Sequence, residues 1–505
     1  MRSLTSFPVQ SQESQQLLTE STSSSADRYY EKSSRLWSVT YVCIVAVQAI
    51  FILGFALGIT SPVLSELGDK KSGYSSLHKT TYKDIFSGTI LVGATVVAPF
   101  GGYLVDYLGR KLSIILCCVP YTIGWLMIIL TVAFDGPMVR PLLFTGRFVL
   151  GIAAGWSSVS VGLYPAEMST RYTRGAFVVI NQLALTVGTF IAQLIGNYIS
   201  YYWLAVIPLA LTLVFTLTTT TIKETPRWLM TQNRKDEARK VLAWLRGRNY
   251  DVEQELQDIE DRVMSQDKLT LVQTLREFKH RSVYYPVFLA STIMFFRQSS
   301  GIVAVLFNAE DIFKKAEVKS PGLTSSLSTG GVQIIASLVG VFIADLFGRR
   351  KLMIGSCIIM CLAHGTMGTY EFLNNKPYCH PPNDSKCKDH LYPLAIVSIA
   401  IFVASYSAGL SAASRLLMPE IIPLRVRGVG VGIALFVSWG SSIIIGALFD
   451  NYQEAVKPWG AYWTFSFICF LGALFVAFFI PETKGKSLED IERSFMEKRS
   501  RRLNL

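Results

Sequence analysis

The fold this sequence predicts is an all-α membrane protein: twelve transmembrane helices in two six-helix bundles that repeat one another. Three observations carry that prediction. Half of the 505 residues are hydrophobic, only 17% are charged and the mean hydropathy is +0.37, which is far more apolar surface than one soluble core needs. Apolar runs long enough to cross a hydrocarbon layer of about 30 Å come as two sets of six. A set of charged turns between those runs is repeated roughly 250 residues later, the mark of internal duplication. Asp106-Tyr-Leu-Gly109-Arg110-Lys111 returns as Asp345-Leu-Phe-Gly348-Arg349-Arg350. Glu167, seven residues ahead of Arg174-Gly175, returns as Glu420 ahead of Arg427-Gly428, and Glu224-Thr225 returns as Glu482-Thr483.

In chain order, residues 1–37 are rich in Ser, Gln and Thr and have no apolar core, so they predict a disordered tail. Glu13-Ser-Gln-Gln-Leu17-Leu18 in this tail fits an acidic dileucine address that a clathrin adaptor could read. Patterns this short also arise by chance, and plain tail is the other reading. The first bundle, 38–222, holds runs at 38–62, 85–105, 112–134, 142–165, 175–198 and 201–222. The stretch 223–282 is the one long charged segment between runs; Val241, Leu242, Leu245, Leu256, Ile259 and Val263 recur in it at helical spacing, predicting short amphipathic helices that bridge the halves. It contains no metal-ligand cluster, phosphate loop or nucleophile constellation, so no enzyme domain, metal site or cofactor is expected. The second bundle, 283–480, holds runs at 283–308, 324–344, 352–373, 392–418, 428–449 and 460–480, and 481–505 is a second tail.

A net charge of +12 raises the question of nucleic acid, but the cations gather at the charged turns, the connector and the Lys498–Arg502 tail, all on one side if the helices alternate. The positive-inside rule then puts both termini and the connector in the cytoplasm and makes the lipid bilayer, not nucleic acid, the partner. Lys70, Lys71, Lys314 and Lys315 on the other side leave the bias imperfect. Six of the eight cysteines fall in apolar runs and read as small buried hydrophobes. Cys379 and Cys387 instead bracket Asn383-Asp-Ser385 in the loop before the tenth run, where a disulfide and an N-glycan are both chemically permitted and an unmodified turn is the alternative.

These motifs, with Gly146-Arg147-Phe148 in the fourth run, Gln182-Leu183 in the fifth, Lys223-Glu224-Thr225-Pro226-Arg227-Trp228 after the sixth and Pro481-Glu482-Thr483-Lys484-Gly485 after the twelfth, resemble the sugar porters of the major facilitator superfamily over about 38–490. The dileucine pattern, the long loop before run ten and Leu416-Leu417-Met418-Pro419-Glu420 look most like the intracellular class III facilitative hexose transporters. The resemblance implies the major facilitator fold and alternating access to one central site for a small solute. It also implies residence in the plasma membrane or in endosomal and lysosomal membranes.

Polar residues on apolar helices are costly towards lipid, so their phase marks the interior. Gln182, Thr186, Thr189 and Gln193 form one stripe in run five, and Gln333 with Ser337 and Gly340 repeats that spacing in run eight. A sugar needs neutral donors and acceptors, which amides supply together; the alternative for such a stripe is packing between helices. Resemblance places a sugar-binding Gln at Gln182 and retains Gln298 and Trp439, with Gln333 where an Asn is common. Asp106, Arg110, Glu167 and Arg174 in one half, and Asp345, Arg349, Glu420 and Arg427 in the other, are expected to pair at helix ends and to part when the halves rock.

Two motifs depart from the family pattern. Run seven reads Arg297-Gln298-Ser299-Ser300-Gly301-Ile302-Val303, two sugar-contacting amides short, and run ten reads Gly409-Leu410-Ser411-Ala412-Ala413-Ser414-Arg415, without the family's prolines and Trp. Arg297 and Arg415 both fall near mid-membrane, where an Arg costs about 2.5–3.5 kcal/mol on insertion scales. Ala56 stands where proton-linked porters carry Asp, so facilitated diffusion is expected. The sequence thus predicts a uniporter of a hexose or small sugar; an anionic or carboxylate solute, or a non-transporting sugar sensor, are the alternatives.

Overall fold

A computed structural model of the 505-residue chain describes residues 36–68, 80–134, 138–169, 174–247, 251–264, 273, 276–315, 320–374, 392–423 and 426–483. Glu13, Leu17, Leu18, Cys379, Asn383 and Cys387 lie outside the described residues, as do the side chains of Arg174 and Asp345. Among the described residues every element is helical.

Span one is Leu36–Gly58, continued after a turn at Ile59 by Thr60–Gly68. Spans two to six are Thr80–Leu108, Arg110–Leu130, Val139–Met168, Arg174–Ile195 and Tyr201–Thr221. Span seven is broken at Gly301 (φ 92) into Arg281–Ser299 and Ile302–Lys315. Span eight joins Pro321–Ser325 to Val332–Phe347 through a π-helical turn, Ser326–Gly331, and span nine is Arg349–Asn374. Span ten joins Tyr392–Ser405 to Ala412–Ile421 through a second π-helical turn, Tyr406–Ser411.

Spans eleven and twelve lie within one helical stretch, Arg427–Phe479, that reverses at Lys457 (φ 64, ψ 158). Neighbours prove the reversal. Gly430 meets Val287 and Gly446 meets Val303, so span eleven runs beside span seven in the same sense. Phe296 then meets Phe475, and Gly301 meets Phe465, in the opposite sense. A tight corner at Lys457 thus joins the runs 428–449 and 460–480. Pro458, with its fixed φ, follows the bend, and Tyr452 Oη and Thr464 Oγ1 close it at 2.8 Å.

Ten of these helices are long and apolar enough to cross a membrane by length and composition. Span five, whose apolar part is Ile180–Ile195, and the interrupted span eight complete the twelve. Span five stands apart from the ten by the length of its described apolar stretch, 16 residues from Ile180 to Ile195. Observed helices also run past the apolar runs at the charged turns (Thr80–Leu108, Val139–Met168), since backbone bonding continues after the side chains reach water.

The halves touch near both membrane faces. On the charged-turn face span two crosses span eleven so closely that a Cβ on Gly102 would stand 2.5 Å from the Gly428 carbonyl oxygen, the small-residue contact membrane helices favour. On the opposite face Ser65 donates to Glu310 Oε1 at 2.7 Å, Lys314 donates to Ser65 at 2.6 Å and Asn197 Nδ2 donates to Ser326 at 3.1 Å. The connector helices, Pro226–Thr231, Lys235–Arg246 and Val252–Met264, bury Ala238, Val241, Leu242, Leu245 and Leu256. Arg246 reaches Met168 O at the end of span four, so the connector is anchored to the first half.

Candidate solute site

Span five turns its polar stripe inward but not to one destination. Gln182 is 4% exposed and its Oε1 has no hydrogen-bond partner among the described residues. Thr186 is fully buried and donates back to Leu183 O at 2.9 Å. Thr189 shares its hydroxyl between Leu185 O of its own helix and Gly54 O of span one, at 2.9 and 3.0 Å. Gln193 accepts from Thr329 of span eight at 3.4 Å. Thr189 therefore sits in the seam between spans one and five, while Gln182 keeps an uncommitted acceptor.

The second half supplies the facing groups. Gln298, 6% exposed, donates from Nε2 to Ser442 Oγ and accepts from Tyr406 Oη at 3.4 Å, tying spans seven, ten and eleven together. Gln333 is 5% exposed in span eight. Trp439 Nε1, Ser337 Oγ, Ser407 Oγ and Ser411 Oγ are buried without a partner among the described residues. Buried polar atoms are almost always bonded, so such a set, which with Gln182 Oε1 comes from four spans, marks a candidate site that solute or water completes. Ser407 and Ser411 sit on the π-helical turn of span ten. Where the family carries prolines, this chain reaches an irregular helix through a π-bulge, a device common at functional sites. Arg297 Nη1 is 3.5 Å from Ser438 Oγ and its guanidinium carbon 5.9 Å from the Tyr406 ring centroid; Arg415 in the last part of span ten is partly buried. His364 is packed: its Nε2 lies 2.8 Å from Ser300 O, the carbonyl freed by the break in span seven, and its ring 4.1 Å from Phe402.

The charged turns make two carboxylate cages on one plan. In the first half, Glu224 accepts the backbone N–H groups of Arg110 and Lys111 at 3.1 and 3.0 Å, capping span three. In the second, Glu482 accepts those of Arg349 and Arg350 at 3.1 and 3.2 Å, capping span nine. Gly109 (φ 91) and Gly348 (φ 86) make the turns that present these N–H groups. Thr225 then donates to Glu167 and Thr483 to Glu420, each at 2.7 Å. Arg110 bridges Asp106 and Glu167 at 2.8 and 2.9 Å, whereas Arg349 stands 3.8 Å from Glu420 and Arg427 3.5 Å from Ile422 O. These bonds tie ends within a half; between the halves, Asp106 lies against Gly428. Burial raises the Glu224 carboxyl above the usual range, and the N–H groups of Thr225, Lys111 and Arg110 oppose it. Sequence reasoning left Glu224 and Glu482 outside the switch charges; the repeated Glu-Thr pair was the available signal.

Two bundles of six, discontinuous helices at the centre and twin cages on one face define a major facilitator transporter fold. Solved structures share it: a proton:xylose symporter XylE bound to 6-bromo-6-deoxy-D-glucose (TM-score 0.74, 21% identity, 91% of this chain and 99% of that one) and the inward open conformation of the xylose transporter XylE from E. coli (0.71, 20%, 90% and 99%). The family profile described as sugar (and other) transporter matches residues 42–495, and the chain belongs to that family. Its relatives include a facilitated trehalose transporter Tret1 of Polypedilum vanderplanki, 32% identical over 90% of this chain and 88% of that protein. Tret1 of Anopheles gambiae is 30% identical over 91% of this chain and 56% of its own length. The chain thus spans about half the length of several of the curated relatives it matches.

Proposed function

We propose that this protein is a facilitative uniporter that moves a hexose or a small sugar by alternating access. Gln182 carries the reading: a buried amide on span five whose carbonyl has no partner among the described residues, with Gln298 and Trp439 proposed as its counterparts from the second half. Thr186 and Gln333 are proposed to complete the wall, whereas Thr189, bonded to Gly54 O, holds spans one and five together. Relatives named facilitated trehalose transporters favour a sugar and an uncoupled mode, and Ala56 agrees with the mode. Asp106, Arg110, Glu167 and Arg174, with Asp345, Arg349, Glu420 and Arg427, are the charges whose pairing sets the balance between outward and inward states. Both termini and the connector face the cytoplasm in this proposal, and the finer kinship is with class III facilitative hexose transporters. Residence in endosomal or lysosomal membranes would follow if an adaptor reads Glu13, Leu17 and Leu18; a glycan at Asn383 and a Cys379–Cys387 disulfide belong to the same proposal.

Counterflow of labelled glucose and trehalose by purified protein in liposomes tests it, and Gln182→Ala should lower apparent affinity about tenfold, the scale of one charged or cooperative hydrogen bond. Saturable binding without flux would instead establish a sensor.

A further inference from the structure

Two guanidinium groups stand at the centre of the second half with no carboxylate partner among the described residues. Arg297 is 8% exposed, its Nε has no partner there, and its nearest polar contacts are long: 3.5 Å to Ser438 Oγ and 4.0 Å to Met294 Sδ. Arg415 has no hydrogen bond or ion pair among the described residues and keeps water-accessible surface, although it is in the interior of the chain and feels the charge of Arg297. It follows Ser407 and Ser411 at four-residue steps on span ten, and both hydroxyls are buried and unpartnered. The last part of span ten, Ala412–Ile421, packs on spans five and seven, the helices that carry Gln182 and Arg297.

Arg147, an Arg within span four of the first half, shows what a purely structural guanidinium looks like here. It is fully buried, donates to Ala56 O and Thr60 Oγ1 at 2.6 Å each and lies over the Phe86 ring at 4.5 Å. Arg297 has longer contacts only, Ser438 Oγ at 3.5 Å and the Tyr406 ring at 5.9 Å, and Arg415 has no hydrogen bond or ion pair among the described residues. Two like charges held together without a counter-charge are unfavourable in a low-dielectric interior unless an anion joins them, and guanidinium groups match the two-oxygen edge of a carboxylate or phosphate.

We infer that the solute is a hydroxylated oxyanion, a sugar bearing a carboxylate or phosphate group: Arg297 and Arg415 hold the acid group, and Gln182, Ser407, Ser411 and Trp439 meet the hydroxyls. This inference rests on the transport reading for its setting and sharpens the substrate class.

The test measures binding to the full chain in nanodiscs, by equilibrium dialysis, of D-glucuronate, D-glucose 6-phosphate, D-glucose and trehalose, alongside counterflow of the same four in liposomes. At least one anion should bind at least about tenfold more tightly than glucose, and which one distinguishes sugar acid from sugar phosphate. Arg415→Gln should abolish that preference, while Arg415→Lys, which keeps the charge, should retain part of it. Neutral sugars binding as well as both anions, or an anion preference that survives Arg297→Gln combined with Arg415→Gln, would overturn the inference. The wild-type ratio decides even if the variants do not fold. Flux of neutral sugar with no anion preference removes this inference and leaves transport standing. Anion binding without flux of any solute does the reverse, and neither binding nor flux of any of the four removes both.

Discussion

Glu224 and Glu482 occupy the same place in the two halves: each caps the helix after a positive-φ glycine, and each is followed by a Thr that donates 2.7 Å to the next Glu. The helices between these caps do not agree in the same way. Span five offers neutral amides and hydroxyls at mid-membrane, whereas spans seven and ten offer Arg297 and Arg415. On the transport reading proposed above, duplication has been kept where the halves would move and lost where they would recognise solute. A rocking mechanism needs matched hinges and end pairs on both sides, while one solute lying off the pseudo-symmetry axis presents different groups to each half.

The largest effects should come from the capping turns. A Cβ on Gly109 would stand 2.6 Å from Glu224 Oε2, and one on Gly348 2.8 Å from Glu482 Oε2, at φ values of 91 and 86. Gly109→Val and Gly348→Val each meet a backbone penalty of about 1–2 kcal/mol and displace the capping carboxylate, at about 0.5–2 kcal/mol more. Both should lower the thermal unfolding midpoint of purified protein by similar amounts. A large loss for one and none for the other would show that the cages are alike in outline only.

Why those turns were legible and the centre was not is a matter of where each signal lives. Asp106, Gly109 and Arg110 are neighbours in sequence, Glu167 stands seven residues before Arg174, and each short motif recurs in the second half, so pattern alone locates them. The caps join Arg110 to Glu224 across three helices, a contact that only the fold creates. The π-helical turns and the reversal at Lys457 depend on how the chain is packed, and no local composition announces them. Helical phase placed Gln182 and Thr189 on one stripe. Phase cannot say that Thr189 bonds Gly54 O of span one while Gln182 Oε1 is left without a partner among the described residues.

The pairs above the caps differ more than the caps do, and they give the intermediate effects. Arg110 meets Glu167 at 2.9 Å with both side chains about nine-tenths buried, while Arg349 meets Glu420 at 3.8 Å with 26% of the Glu420 side chain exposed. Neutralising Glu167 removes a hydrogen bond to a charged group while Arg110 keeps Asp106, at about 1.5–3 kcal/mol; the looser pair should cost about 1 kcal/mol or less. Glu167→Gln should therefore shift the populations of the two access states further than Glu420→Gln, as read by distances between spin labels on the charged-turn face. Glu420→Arg goes beyond neutralisation and should change that balance more than it changes solute affinity. Equal shifts from Glu167→Gln and Glu420→Gln would mean that both cages open together and that the observed asymmetry has no consequence.

The smallest effects belong to the connector, and they test whether burial or mere proximity fixes it to the first half. Arg239 and Glu253 approach to 2.5 Å, closer than Arg246 and Glu255 at 2.7 Å, yet their side chains are 60% and 57% exposed against 5% and 22%. Water and salt screen the first pair, whose value should lie at about 0–1 kcal/mol and fall with ionic strength. Arg246 also reaches Met168 O, so its removal leaves buried acceptors unpaired, at about 1–3 kcal/mol. Thermal unfolding should register Arg246→Ala clearly and Arg239→Ala barely, the shorter contact being the weaker one. If the order is reversed, exposed charge holds the connector in place, and it can then detach from the first half as the bundles rock.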